Sequence, residues 1–313
     1  MLYSYLGKTG MRVSLMCAGS LSVGPLQANL TLSQGRYVMA EAYEAGVNFF
    51  DSAEFYRTYP YLREVAQKPD TVIAGRSFAW DAKSMRKSLD LYRKELNRDV
   101  VDIFGLHEQE SGLTLKGHRD ALEFLARERE RGTVRAVSVS THYVACVKAA
   151  ALLDEVDVIF AVLNIQGLGI ADGSRQDMED ALRFAKECGK GVYIMKALGG
   201  GHLHHVPEEA LSYAAKFPYK DSVAVGVKTR EEVLYNAAVL CGERPSLEVS
   251  RAVTGRKKRL LVEEWCEGCG RCVRRCGFKA LSLQGGRAVV DETKCMLCGY
   301  CGGVCPLFCL KII

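Results

Sequence analysis

Two runs of cysteines near the C-terminus share one internal spacing: Cys266, Cys269, Cys272 and Cys276, then Cys295, Cys298, Cys301 and Cys305. In a C-x2-C-x2-C-x3-C run, three thiolates on one tight loop hold three corners of a cubane and the fourth reaches across to the other cluster. The chemistry implied is one-electron transfer through two 4Fe-4S clusters. One is expected on Cys266, Cys269, Cys272 and Cys305, the other on Cys295, Cys298, Cys301 and Cys276. Structural zinc would account for paired C-x2-C units, and disulfides would need an oxidising compartment; neither accounts for the fourth cysteine of each run. Pro306 follows the second run, whereas Gly277 follows the first. Cys309, like the scattered Cys17, Cys146, Cys188 and Cys241, reads as a small buried apolar residue.

A second set of reactive side chains lies upstream, each just past an apolar run: Asp51 and Tyr56, then Arg76, then His107. A tyrosine beside a cation and a histidine is a proton donor to a carbonyl. The cation is expected to lower the tyrosine pKa and the imidazole to orient the substrate oxygen. Asp51 would hold the cation by an ion pair.

The elements that must position these groups repeat. Apolar, β-branched runs alternate with amphipathic helical stretches, the pattern of βα units around a parallel sheet. The expected strands are VSLMCAG, VNFF, TVIA, VVDIFGL, VRAVSV, VDVIFAV, KGVYIMK and SVAVG. Helices are expected near residues 33–45, 59–67, 82–95, 117–131, 142–152, 174–188, 208–217 and 229–241. Eight such units predict an α/β fold, a (β/α)8 TIM barrel whose reactive groups sit in the loops after the strands. The expected organisation is a barrel over 1–244, a linker over 245–258, and a small ferredoxin-like α+β domain carrying both clusters over 259–313.

Composition sets outer limits. The chain has 313 residues, 48% hydrophobic and 25% charged, an ordinary globular balance. The longest apolar stretch, VDVIFAVLNI, is about half of the roughly 20 residues a membrane-spanning helix needs. No nucleic-acid partner and no membrane span are expected. Free thiols and oxygen-sensitive clusters point to a reducing cytoplasm. The net charge of +5 is modest. Its cations concentrate at Arg256, Lys257, Lys258, Arg259, Arg271, Arg274 and Arg275, either a solvated face or a docking surface for an acidic electron carrier.

LGKTGMRVS, NFFDSAEFY, the strand ending GLHEQ, SVSTH and MKALGGGHL together resemble the aldo-keto reductase family over about residues 1–241. The resemblance implies an eight-fold βα barrel and NADPH-dependent reduction of aldehydes and ketones through an Asp, Tyr, Lys, His tetrad. Asp51, Tyr56 and His107 match three of those positions. The chain departs at the fourth, where VIAGRS places Arg76 in the lysine position, a non-conservative exchange because the planar guanidinium has a different reach and geometry. Arg57, where the family has glycine, would add a second cation beside the site. Both changes are compatible with an anionic substrate. The whole architecture resembles a ferredoxin-type branch of the family.

The resemblance also implies nicotinamide contacts at Ser140, Thr141, Asn164 and Met195, and a pyrophosphate-binding loop at Leu198, Gly199, Gly200 and Gly201. GVKTREEVLYN resembles the adenosine-phosphate segment, with Gly226, Lys228, Thr229, Arg230 and Asn236 as contacts. Glycine loops let backbone amides approach phosphate closely, and FMN could use the same loops. The histidines of GHLHH, His202, His204 and His205, read as structural or substrate-lining rather than metal-binding, and His118 and His142 need no special role.

A cubane passes one electron and a nicotinamide passes two. Three routes reconcile them: a flavin in the barrel, direct delivery from cluster to substrate with Tyr56 and His107 supplying protons, or clusters that are structural or oxygen-sensing beside ordinary carbonyl reduction. The leading expectation is an oxidoreductase that reduces a carbonyl or activated double bond of a small molecule. Two 4Fe-4S clusters would relay its electrons from a ferredoxin or flavoprotein partner. The rival is a non-catalytic electron-transfer or redox-sensing subunit on a degenerate barrel.

Overall fold

The computed structural model describes residues 1–313. An N-terminal hairpin, β1 (Tyr3–Tyr5) with β2 (Arg12–Ser14), precedes the eight strands of a closed parallel barrel. These are β3 (Met16–Gly19), β4 (Phe49–Asp51), β5 (Val72–Ser77), β6 (Val101–Gln109), β7 (Val134–Thr141), β8 (Val158–Val162), β9 (Gly191–Met195) and β10 (Ser222–Gly226). Strand β10 closes on β3. All eight expected strands are present, and the barrel they form is the one the βα repetition predicts. Both faces of such strands are covered, so they read as continuous apolar runs.

The outer helices follow from spacing and caps. Helix Ala82–Leu96 buries Met85, Leu89, Tyr92 and Leu96, one stripe at helical intervals, and Asp81 caps its start by accepting from Ser84 N. Thr31 and Ser174 form equivalent capping boxes before helices Leu32–Glu44 and Arg175–Glu187. The segment read as a linker carries a helix, Leu247–Thr254, capped by Ser246.

The C-terminal domain pairs β11 (Leu260–Val262) with β14 (Leu310–Ile312). A second hairpin, β12 (Leu281–Gln284) with β13 (Arg287–Val290), turns at Gly285–Gly286. Its core is small: Leu260, Cys272, Leu281, Ala288, Cys301, Leu310 and Ile312. Strand β14 lies against the loop after β9, over the C-terminal mouth of the barrel. Gly201 there has φ +86°, and a Cβ on it would stand 1.8 Å from Ile312 O. The His202 ring donates through Nε2 to Leu310 O at 2.8 Å. The glycines expected to approach pyrophosphate therefore admit the cluster domain's last strand.

Candidate active site

Asp51 ends β4 and Arg76 stands near the end of β5, in adjacent strands whose register pairs Asp51 with Ala74. Both are buried, and the guanidinium forks onto the carboxylate with two contacts of 2.6 Å. Burial works against the Arg76 charge and the carboxylate overcomes it, so the guanidinium stays charged. Tyr193 on β9 completes the group, donating to Asp51 Oδ1 at 3.1 Å, with Arg76 Nη1 3.4 Å from its hydroxyl. Phe160 on β8 stacks on Tyr193 at 4.0 Å and lies 4.5 Å beneath the guanidinium carbon.

Tyr56 ends a 3-10 turn, Glu54–Tyr56, and the left-handed Arg57 (φ +57°) terminates it. Its hydroxyl lies 3.5 Å from Arg76 Nη2 and 3.5 Å from His107 Nε2. The tyrosine, the cation and the histidine thus converge. The expected fall in tyrosine pKa does not occur: burial pushes Tyr56 up to about 12, and Arg76 offsets this only in part. Burial of the hydroxyl is the main reason, and the Asp51 carboxylate adds to it by cancelling part of what the Arg76 guanidinium lowers. Tyr56 is a protonated donor throughout the physiological range. Arg57 is exposed and lies outside the cavity.

His107 sits where β6 and β7 shift register between Leu106 and Gln109, and Glu108 there adopts φ +50°. Such a bulge re-aims side chains. His107 stacks against Phe78 at 4.4 Å, and burial, with the Arg76 charge, pulls its pKa down to about 3. The imidazole is neutral, able to orient an oxygen but not to carry a proton as a cation. Glu108 Oε1 lies 3.8 Å from both His107 and His142. Burial opposes its charge, but the positive charge nearby outweighs it and holds the carboxyl below its ordinary range. Because both imidazoles stay neutral, Lys196 and Arg76 are the cations that count.

His142 and His202 are likewise held neutral at about 4, chiefly by burial. With the folded pKa below the ordinary 6.5, the unfolded chain binds more protons as pH falls, so stability is full above that value and is lost on acidification. Each histidine adds a slope of up to about 1.4 kcal/mol per pH unit. Urea midpoints are expected to fall between about pH 7.5 and about pH 5.5; a constant midpoint would contradict neutral burial.

These groups open into a cavity of about 1040 Å³ between the barrel mouth and the cluster domain, lined by Tyr56, His107, Glu108, His142 and Met195 from the barrel and by Trp265, Leu307 and Lys311 from beyond it. The expected nucleotide positions divide. Leu198, Gly200, Gly226, Lys228, Thr229 and Asn236 line the cavity, while Gly199 is buried against Leu203. Arg230 pairs with Glu41 at 2.8 Å outside it. Ser140, Thr141 and Asn164 are buried in the barrel wall. Ser140 Oγ accepts from Glu108 N, Thr141 Oγ1 donates to Gln109 O, and Asn164 brackets Leu168. The residues present fit a phosphate-bearing tail at the Lys228 end better than a carboxamide at the other.

Cys266, Cys269, Cys272 and Cys305 line one smaller cavity together, the crosswise set expected for the first cluster. Backbone amides donate to the sulfurs, Ala288 N to Cys266 at 3.5 Å and Cys309 N to Cys305 at 3.4 Å. In the second set Ala280 N donates to Cys276 at 3.3 Å. Such donors stabilise cluster thiolates, so the donor sets fit cubanes. Cys309 is buried with its sulfur 3.4 Å from that of Cys305.

The aldo/keto reductase family model matches residues 15–209, more than half of the chain. The chain belongs to the aldo/keto reductase family. A second match, to a 4Fe-4S dicluster domain, covers residues 259–306. L-galactose dehydrogenase of Arabidopsis thaliana is 25% identical over 283 residues, 83% of this chain and 85% of that protein. An uncharacterized oxidoreductase of Bacillus subtilis, YrpG, is 41% identical over 56 residues, 18% of this chain and 16% of that protein. Among solved structures, the holo form of the aldo-keto reductase AKR11C1 from Bacillus halodurans superposes with a TM-score of 0.67 at 16% identity, covering 82% of this chain and 96% of that one. This aldo/keto reductase is an oxidoreductase with a 4Fe-4S domain, and none of its helices is long and apolar enough to cross a membrane.

The sequence reading missed Tyr193, Phe160, Phe78, Glu108, His142, Lys196, Trp265 and Lys311. Most lie in apolar strands or near the C-terminus, where nothing local marks them. Alternation along KGVYIMK, which sends Tyr193 inward, was the one available signal.

Proposed function

We propose that the barrel reduces the carbonyl, or an activated double bond, of a small molecule held at Tyr56 and His107, with electrons relayed by the two 4Fe-4S clusters. One observation carries this reading: Pro306 and Leu307, directly after Cys305, line both the cysteine-lined cavity and the barrel cavity. The first cluster site and the substrate site share a wall. Bound clusters would supply one electron each, together the pair that a carbonyl takes up with two protons to become an alcohol, the proton on oxygen coming from Tyr56 and the proton on carbon from solvent water in the cavity.

The protein's own groups do the rest. Tyr56 donates a proton to the substrate oxygen. His107, neutral and stacked against Phe78, orients that oxygen. The Asp51–Arg76–Tyr193 group fixes the tyrosine and adds positive potential beside it. Phe55, Phe78 and Trp265 form an aromatic rim, with centroids 6.0 and 6.1 Å apart around Phe55, that narrows the entrance. Electrons from a ferredoxin or flavoprotein would enter at the second cluster. There Cys298 is exposed, the Arg275 guanidinium lies 4.8 Å over the exposed Tyr300, and Arg274 and Lys279 add charge suited to an acidic carrier. Free thiols and such clusters suit a reducing cytoplasm.

A second reading, NADPH-dependent hydride transfer with structural clusters, draws on Lys228, Thr229 and Asn236 in the cavity. Anaerobic spectroscopy separates the two. Dithionite is expected to bleach the clusters, NADPH to leave them oxidised, and a carbonyl substrate to restore the absorbance of the reduced protein. Carbonyl reduction by NADPH after the clusters are stripped would reverse the conclusion, and a released flavin would move the electron exchange onto it.

A further inference from the structure

Two lysines face each other across the junction of the domains. Lys196 directly follows β9 in the left-handed conformation, φ +61°, a backbone state unfavourable for a long side chain and held here by the surrounding fold. Lys311 sits in the middle of β14 and is only 5% exposed. Both ammonium groups address one ring, Phe308: Lys196 Nζ lies 4.9 Å from its centroid and Lys311 Nζ 3.7 Å. Lys311 also donates to Phe308 O. Neither lysine closes an ion pair with a carboxylate. Glu263, the acid that bears on both, accepts instead from Gln27 Nε2 at 3.3 Å. Glu108 bears on Lys196 from the side of His107.

A buried cation and a half-buried one left without carboxylate partners are costly unless something anionic joins them. Both line the barrel cavity that holds Tyr56 and His107. His142, in the same wall, has a buried Nε2 without a hydrogen-bond partner. Burial, and then the like charge of Lys196, lowers the pKa of Lys311, a strain that a negative group between them would relieve.

We propose that Lys196 and Lys311 form a subsite for an oxyanion, a carboxylate or phosphate carried by the substrate, with His142 as its neighbouring hydrogen-bonding group. The inference rests on the reading of the cavity as the substrate site and narrows the substrate to acidic carbonyl compounds. It also gives the cluster domain a direct part in substrate binding, since Lys311 belongs to its last strand. The bound anion would bridge the two domains and hold β14 over the barrel mouth.

Calorimetric titration of the anaerobic, oxidised holoprotein with inorganic phosphate and, separately, with acetate tests this without turnover. One saturable site is expected, and the tighter arm identifies the anion. Lys196→Met and Lys311→Met should each weaken it by about tenfold or more. Lys196→Arg and Lys311→Arg should retain most of the affinity, and iron content with the cluster spectrum shows that each variant folds. Lys228→Met marks any phosphate taken up beside Lys228 in the same cavity, and the site that is lost with Lys196 or Lys311 must survive it. Binding by neither anion, binding unchanged in folded lysine-to-methionine variants, or binding that follows Lys228 would each overturn the subsite. Tyr56→Phe keeps the subsite intact, so a failure of the proposed reaction shows in its turnover while the anion titration stands.

Discussion

Tyr56→Phe is expected to reduce substrate-dependent reoxidation of the clusters by about 100-fold to 10,000-fold, the span typical of losing a positioned general acid. The phenyl ring keeps its place: the 3-10 turn Glu54–Tyr56 and the edge contact with His107 at 5.5 Å depend on the ring, not the hydroxyl. What disappears is the one protonated donor between Arg76 and His107, and His107 cannot replace it because its imidazole stays neutral down to about pH 3. Reduction of the clusters by dithionite should be unchanged. The measurement is anaerobic stopped-flow absorbance of reduced protein mixed with a carbonyl substrate. Equal reoxidation rates in the variant and the parent would remove Tyr56 from the chemistry and favour a non-catalytic relay.

The other large effect is expected from Cys272→Ala. Cys272 is buried in the small core of the cluster domain and lines the cavity of the first cysteine set. Its loss should take the iron content from about eight to about four per chain, because each cubane holds four irons on four thiolates. Substrate turnover should fall to background while the remaining cluster still accepts an electron from dithionite. A core of seven buried residues is too small to order this domain alone, so cluster ligation is expected to stabilise it, as metal binding does in other small domains. Part of the loss would then come through β14, which carries Lys311. Iron analysis and electron paramagnetic resonance separate the two contributions. Full turnover with half the iron would sever the electron path from the first cluster site to the cavity and leave the clusters a structural role.

Arg76 illustrates how far a residue type can be read without its surroundings. From its position after the apolar run VIAG, a cation held by Asp51 and placed near Tyr56 is a sound expectation, and the two contacts of 2.6 Å bear out the pair. Its effect on the tyrosine depends on closure of that ion pair and on burial, and both are tertiary quantities. The glycine loop shows the same division: its flexibility is legible in GGG, whereas what approaches it is a strand more than one hundred residues later in the chain, β14.

By itself, the sequence determined whatever rests on local periodicity and covalent spacing. Apolar runs of strand length separated by amphipathic helices close into a barrel, and C-x2-C-x2-C-x3-C sets cubane geometry within a few turns of backbone. Short-range rules suffice there because the partners are near in the chain or identical from unit to unit. Only the tertiary structure decided which groups meet across the domain junction: the shared wall at Pro306 and Leu307, the withdrawal of Ser140, Thr141 and Asn164 into the barrel wall, and the pairing of Lys196 with Lys311. Those contacts join residues that are distant in sequence, and their energies depend on burial and on neighbouring charge, quantities that exist only once the chain has folded.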